Sequence, residues 1–267
     1  VIVNTIAITN QKGGVGKTTT AVNLAYYLAK NHEARVLLVD FDPQGNASSG
    51  LDVDKASLRT TENPGGRPTI LEVVSGQAEL AEVVIATKFK NLSIAPSNSQ
   101  LADAEVGLST VEGRFTRLRD ALRTVADSYD IIIIDSPPSL SLLTLNALAA
   151  ADSVLLPTQP EFFAIEGLTQ LLETMALVRK SINPTLGLLG VLVTMMDKRT
   201  ALNQQAYLEV AKYFPGKIIE PAIPRNVRLA EAPSHGLPVG AYDRFSKGAR
   251  AYKAVAKEVA KRIGWAS

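Results

Sequence analysis

The chain has 267 residues, 46% of them hydrophobic and 20% charged, with 18 glycines and 14 prolines. That composition belongs to a globular protein able to bury its own core, and it excludes disordered, collagen-like and coiled-coil chains. With no cysteine and two histidines, disulfide frameworks, thiol catalysis, iron–sulfur clusters and Cys-ligated zinc are excluded too. The net charge of +2 conceals an imbalance, because residues 190–267 carry 13 Lys/Arg against 6 Asp/Glu. A basic last third suits a surface that meets a polyanion, and equally a set of solvated helix faces.

Apolar runs at 3–9, 35–39, 92–95, 131–134, 154–156 and 188–194 read as strands. Periodic segments at 18–30, 111–128, 142–150, 167–181, 202–213 and 249–262 read as the helices between them. This alternation predicts an α/β fold, a mostly parallel twisted sheet flanked by helices, in a single domain over 1–267. Turn residues follow the strands at Pro43-Gln44-Gly45, Pro137-Pro138, Pro157 and Pro160. They gather loops at the carboxyl edge of the sheet, where such folds bind ligands. The polar stretch 52–68, with Asn63-Pro64-Gly65-Gly66, reads as a surface excursion. No run approaches 18 apolar residues. The first residues, Val1-Ile2-Val3-Asn4-Thr5-Ile6, show no basic region ahead of an apolar core, so a cytoplasmic protein is expected.

Between the first strand and the first helix stands Asn10-Gln11-Lys12-Gly13-Gly14-Val15-Gly16-Lys17-Thr18-Thr19. Strand, glycine loop and helix in that order form a phosphate-binding loop. Gly13, Gly14 and Gly16 let the backbone turn its N–H groups onto phosphate oxygens, and the helix N-terminus adds a positive dipole end. Lys17 reaches the β- and γ-phosphates, and Thr18 offers its hydroxyl to Mg²⁺. The ordinary spacing would place glycine at position 11. This chain has Gln11 there and a second lysine, Lys12, which taken alone reads equally as a solvated loop lysine.

Two later strands end in carboxylates: Asp40 and Asp42 in Val39-Asp40-Phe41-Asp42-Pro43, and Asp135 after Ile131-Ile132-Ile133-Ile134. Alternation sends Asp40 and Asp42 to the same side. Phosphoryl transfer needs one carboxylate near the metal and one group to orient the attacking water.

The loop resembles the deviant Walker A ATPases, signature K-G-G-x-G-K-[ST], a P-loop NTPase-like family that includes ParA/Soj partition proteins and MinD. The segments 157–167 (with Phe162-Phe163), 192–197 and 223–233 are similar to the ParA/Soj versions of these regions. The resemblance implies an ATPase using ATP/ADP and Mg²⁺, with the backbone of Lys12, Gly13, Gly14, Val15, Gly16, Lys17, Thr18 and Thr19 around the phosphates. It implies that Lys12 crosses a nucleotide-sandwich homodimer to the partner's ATP. Asp42 then positions the hydrolytic water, Asp135 ligates a Mg²⁺-bound water, and Asp40 supports the Mg²⁺ shell. Met195, Pro224 and Asn226 flank the adenine. Intrinsic hydrolysis is expected to be slow because no cis arginine finger is evident in the loops, and the resemblance implies stimulation by a ParB-type centromere-binding partner and a nucleoid-associated protein.

The basic last third is expected to hold double-stranded DNA nonspecifically, with Arg199 and Arg228 as first choices and Arg225, Lys247 and Arg250 beside them. Only nine residues precede Asn10, so no N-terminal helix-turn-helix domain is expected. The alternative is a MinD-like membrane-associated ATPase, which needs an amphipathic C-terminal helix. Here Tyr252, Val255, Val259 and Ile263 form a stripe suited to packing on the body, and Trp265 alone points the other way. No membrane partner is expected. An iron-protein relative lacks its cysteine ligands here, and a plain metabolic kinase would leave Lys12 unexplained.

Overall fold

Strand residues in this chain are apolar on both faces because both faces of the sheet are covered. The computed structural model describes residues 3–161 and 164–265. In chain order the elements are β1 (Asn4–Ile8), α1 (Lys17–Asn31), β2 (Val36–Asp40), α2 (Asn46–Gly50), α3 (Ile70–Val74), α4 (Leu80–Val83), β3 (Ile85–Ala86), β4 (Leu92–Ala95) and α5 (Asp103–Gly107). Then come α6 (Arg117–Arg123), β5 (Ile131–Asp135), α7 (Leu142–Ala150), β6 (Ser153–Thr158), α8 (Ala164–Ser181), β7 (Gly187–Val193), α9 (Ala201–Tyr213), α10 (Val227–Glu231), α11 (Val239–Tyr242) and α12 (Lys247–Arg262). One seven-stranded sheet runs β3-β4-β2-β5-β1-β6-β7, parallel except for β3 against β4. The expected parallel sheet flanked by helices is what forms.

Alternate residues of each strand enter two separate cores. Ile6, Ile8, Val36, Leu38, Ile131, Ile133 and Leu155 pack with α1 and α12 on one face. Ala7, Leu37, Val39, Ile132, Ile134, Val154 and Leu156 pack with α6, α7 and α8 on the other. Four consecutive isoleucines are stable in β5 because each is fully buried, contributing about 1.5–3 kcal/mol apiece. Parallel register aligns the carboxyl ends, pairing Asp135 with Ile8 on one side and with Asp40 on the other. The loop after β1 therefore opens beside both aspartates.

Two points of the sequence reading need correction. The helix expected over 111–128 is confined to α6, because Gly113 takes a left-handed turn (φ 71°) and 126–128 tightens into a 3-10 turn. The two-residue strand β3 and the helices of four or five residues are too short for periodicity to register. The excursion 52–68 lies mostly at the surface, folded on itself by a bridge between Leu58 and Arg67, with Leu58 fully buried. In addition, Asn98 Nδ2 donates to the Arg59 carbonyl at 2.7 Å.

As expected, the apolar stripe of α12 faces inward, with Tyr252, Val255 and Val259 in the core beneath α1. Trp265 packs on the same core and donates from Nε1 to the His32 carbonyl at 3.2 Å. Among the described residues no helix is long and apolar enough to cross a membrane.

Candidate phosphate and nucleotide site

The loop between β1 and α1 is held open by its neighbours. Gly14 and Gly16 sit at φ 73° and 87°, left-handed values that a side chain would strain. Gly16 caps α1 without a side-chain bond, leaving the first helical N–H groups for an incoming anion. Thr194 Oγ1, past the end of β7, donates to the Val15 carbonyl at 2.8 Å, and Gln159 Nε2 donates to the Gly14 carbonyl at 2.8 Å. Asn10 ties the loop's start to β6, donating from Nδ2 to the Pro157 carbonyl at 2.7 Å. The Lys17 ammonium folds back over the loop onto the Lys12 carbonyl at 3.1 Å.

Around Lys17 lie three buried carboxylates. Asp40 accepts from the Ser48 amide and hydroxyl, both at 2.7 Å, yet burial still pushes its carboxyl up to about 6. Asp135 is fully buried, and neither of its oxygens meets a hydrogen-bond partner. Burial, then the Asp40 charge and more weakly the Asp42 charge push it well above the usual range; the nearby Thr18 hydroxyl, too poorly placed to form a hydrogen bond, and the Lys17 charge pull it back only in part. Burial in turn lowers Lys17, against the pull of Asp135 and Asp42. Asp42 is 6% exposed, and its Oδ1 accepts the Gln44 amide at 2.9 Å. With one ammonium among three buried carboxyls, ionising Asp135 would leave an uncompensated buried negative charge at a cost of several kcal/mol, which is why its proton is held so firmly. A divalent cation beside Thr18 and Asp135 would relieve that cost. Among the described residues no group of three acidic or His ligands could cage a metal. Water and phosphate oxygens would complete the shell, as is usual for magnesium.

The three residues expected at the base do come together. A cavity of about 400 Å³ is bounded by Gly16 and Thr19 on one side and by Met195, Pro224 and Asn226 on the other. Met196 pairs with Pro224 as an isolated bridge, and Met195 takes a left-handed φ of 51°. The Asn226 Oδ1 accepts the Arg228 amide at 3.1 Å. A larger cleft of about 550 Å³ lies between α3 and α6, and it includes none of these groups.

Lys12 and the expected DNA-contacting cations are placed less simply. The Lys12 ammonium is ion-paired with Glu161 of its own chain, on the loop after β6. Arg199 pairs with Asp197 at 2.9 Å, which holds that carboxyl down to about 2. Arg228 pairs with Glu231 at 2.8 Å and Asp243 at 3.4 Å. The two first choices are thus partly neutralised in place, whereas Arg225, Lys247 and Arg250 are exposed without such ion pairs among the described residues. Phe162 and Phe163 lie outside the described residues. Tyr252 also lines this cavity, which the sequence did not signal, and its hydroxyl lies 3.0 Å from Thr20 Oγ1 on α1. Ser48, Gln159 and Thr194 were missed too. The only signal for them is their position after a strand or within a Pro/Gly-rich loop.

A family model described as an AAA domain matches residues 3–188. The chain is 52% identical over 255 residues to the sporulation initiation inhibitor protein Soj of Bacillus subtilis, covering 96% of this chain and 97% of that one. It is 49% identical over 257 residues to the chromosome partitioning protein ParA of Myxococcus xanthus, covering 96% and 88%. Among solved structures, cobyrinic acid a,c-diamide synthase from Mycobacterium smegmatis with bound ADP and magnesium matches with a TM-score of 0.82 at 36% identity, covering 96% and 93%.

Proposed function

This chain belongs to the ParA/Soj family of partitioning ATPases, and from that premise we propose that it is a Mg²⁺-dependent ATP hydrolase whose ATP-bound homodimer holds double-stranded DNA nonspecifically. A ParB-type partner resets it by stimulating hydrolysis, and the protein works in the cytoplasm on the nucleoid. The observation that carries the reading is the buried group of Lys17, Asp40, Asp42 and Asp135 at the mouth of the glycine loop, with both Asp135 oxygens unpartnered. Met195, Pro224 and Asn226 would hold the base of ATP, and the loop amides and Lys17 its phosphates. Thr18, with Asp135 and Asp40 acting through water, would hold magnesium, which when bound would supply charge neutralisation to the phosphates.

Asp42 orients the water whose oxygen attacks the γ-phosphorus as the bond to the β–γ bridging oxygen breaks. Lys12 leaves Glu161 and meets the phosphates bound to the partner copy. Dimerisation doubles the cations facing DNA, so binding follows the nucleotide without any base being read. The test is duplex retention across a salt series with ATP and with ADP. Binding should need ATP and fall steeply with salt, with a slope of about −0.9 in log K per neutralised phosphate. Retention that is equal with ADP, or indifferent to salt, would overturn the DNA reading.

A further inference from the structure

The turn between α11 and α12 holds a phenylalanine in solvent amid basic side chains. Phe245 is 73% exposed, yet its backbone is pinned. Its amide donates to Asp243 Oδ1 at 3.1 Å, and the Ser246 amide donates to the Asp243 carbonyl at 3.2 Å. Ser246 Oγ in turn caps α12 by accepting the Ala249 amide at 3.1 Å. The Arg244 guanidinium lies over the ring, 4.6 Å from its centroid.

Arg228 reaches the same turn through Asp243 at 3.4 Å. Leu229 packs so closely over Gly248 that a Cβ there would come within 2.7 Å of it. That contact fixes α10 against the start of α12, which carries Lys247 and Arg250. The phenyl ring on this turn therefore has Arg244 over it, Arg228 paired to Asp243 of the same turn, and Lys247 and Arg250 exposed on the first turns of the helix that follows.

A lone exposed apolar side chain is ordinary and needs no explanation. This one combines an apolar tip with flanking cations, the pairing by which minor-groove proteins insert a wedge between base steps while neutralising the phosphates on either side. An anionic lipid surface would also attract the cations. It would call for a broader apolar face, and the apolar face of α12 is buried in the core.

We propose that Phe245 is an apolar wedge that enters a base step of the bound duplex, with Arg244 and its neighbouring cations on the flanking phosphates. The proposal rests on the DNA reading above and adds to it a contact that salt does not screen. The experiment uses the full chain carrying Asp42→Ala, with ATP, against a mixed-sequence duplex containing 2-aminopurine and against phosphatidylglycerol vesicles. Adding Phe245→Ala should weaken duplex binding about tenfold, in line with the loss of one aromatic–base contact. The salt slope should stay that of the parent, because no charge is removed. The parent should raise 2-aminopurine fluorescence on binding, Phe245→Ala should not, and Phe245→Leu should retain part of the rise. If Phe245→Ala binds as tightly as the parent and neither protein changes the fluorescence, the wedge is wrong while the DNA reading stands. If the parent binds no duplex, the DNA reading fails first. If it pelleted with the vesicles in a Phe245-dependent way instead, the partner would be lipid and the wedge proposal would be overturned.

Discussion

Glu161→Gln should tighten the ATP-driven dimer. In the single chain the Lys12 ammonium is ion-paired with Glu161, and the two side chains are 54% and 47% exposed. An exposed pair of this kind contributes about 0.2–1 kcal/mol. To reach the partner's phosphates Lys12 must leave Glu161, and in a two-fold dimer that happens twice. Removing the competitor therefore relieves about 0.4–2 kcal/mol, which is a ~2- to 30-fold lower dimer dissociation constant. The gain should shrink as salt rises, because both groups are in solvent. Sedimentation titrations of Asp42→Ala, with and without Glu161→Gln, would measure it in ATP, with ADP as the arm that should not move. An unchanged constant in ATP at low salt would mean that Lys12 keeps its own-chain contact in the dimer, and the transfer in trans would be wrong. Loss of the dimer would make Glu161 an interface contact and not a competitor.

Asp42→Ala should still bind ATP but release phosphate ~10²–10⁴-fold more slowly, as expected when one water-positioning group is lost; near-normal turnover would move that role elsewhere. Leu58→Ala should cost about 2–4 kcal/mol in denaturant unfolding, because a fully buried leucine is truncated. A cost below about 1 kcal/mol would show that segment 52–68 detaches without disturbing the core. Asp130→Asn should cost about 1–2 kcal/mol at pH 7, since the carboxylate clamps the start of β2 by accepting the Arg35 amide and guanidinium, each at 2.7 Å. Those bonds hold the Asp130 carboxyl below its ordinary range. The stabilisation is therefore complete above about pH 4 and lost as the pH falls through the lower folded-state value. Parent and variant should converge in acid, and a constant difference down to pH 2 would contradict the clamp.

The sheet was legible because strands buried on both faces are written as unbroken apolar runs, such as Ile131–Ile134, bounded by turn residues. The phosphate loop was legible because its glycines must take left-handed backbone, as Gly14 and Gly16 do. Asp40 and Asp135 stand out at strand ends, but only parallel register sets them side by side. Three kinds of feature stayed hidden. Short helices such as α10 and α11 have too few residues for a period to show. Supports such as Ser48, Gln159 and Thr194 act through local hydrogen bonds of a kind open to any polar loop residue. The net +7 of residues 190–267 counts charges without their partners, and so gave Arg199 and Arg228 more freedom than Asp197, Glu231 and Asp243 leave them.

Light scattering of the hydrolysis-blocked protein tests the lysine-bridged dimer most directly. Asp42→Ala should run as a dimer with ATP and as a monomer with ADP. With Lys12→Ala added it should stay monomeric in ATP while still binding the nucleotide through Lys17 and the loop amides. A Lys12→Ala protein that dimerises normally with ATP would contradict the assignment of Lys12 to the partner's phosphates.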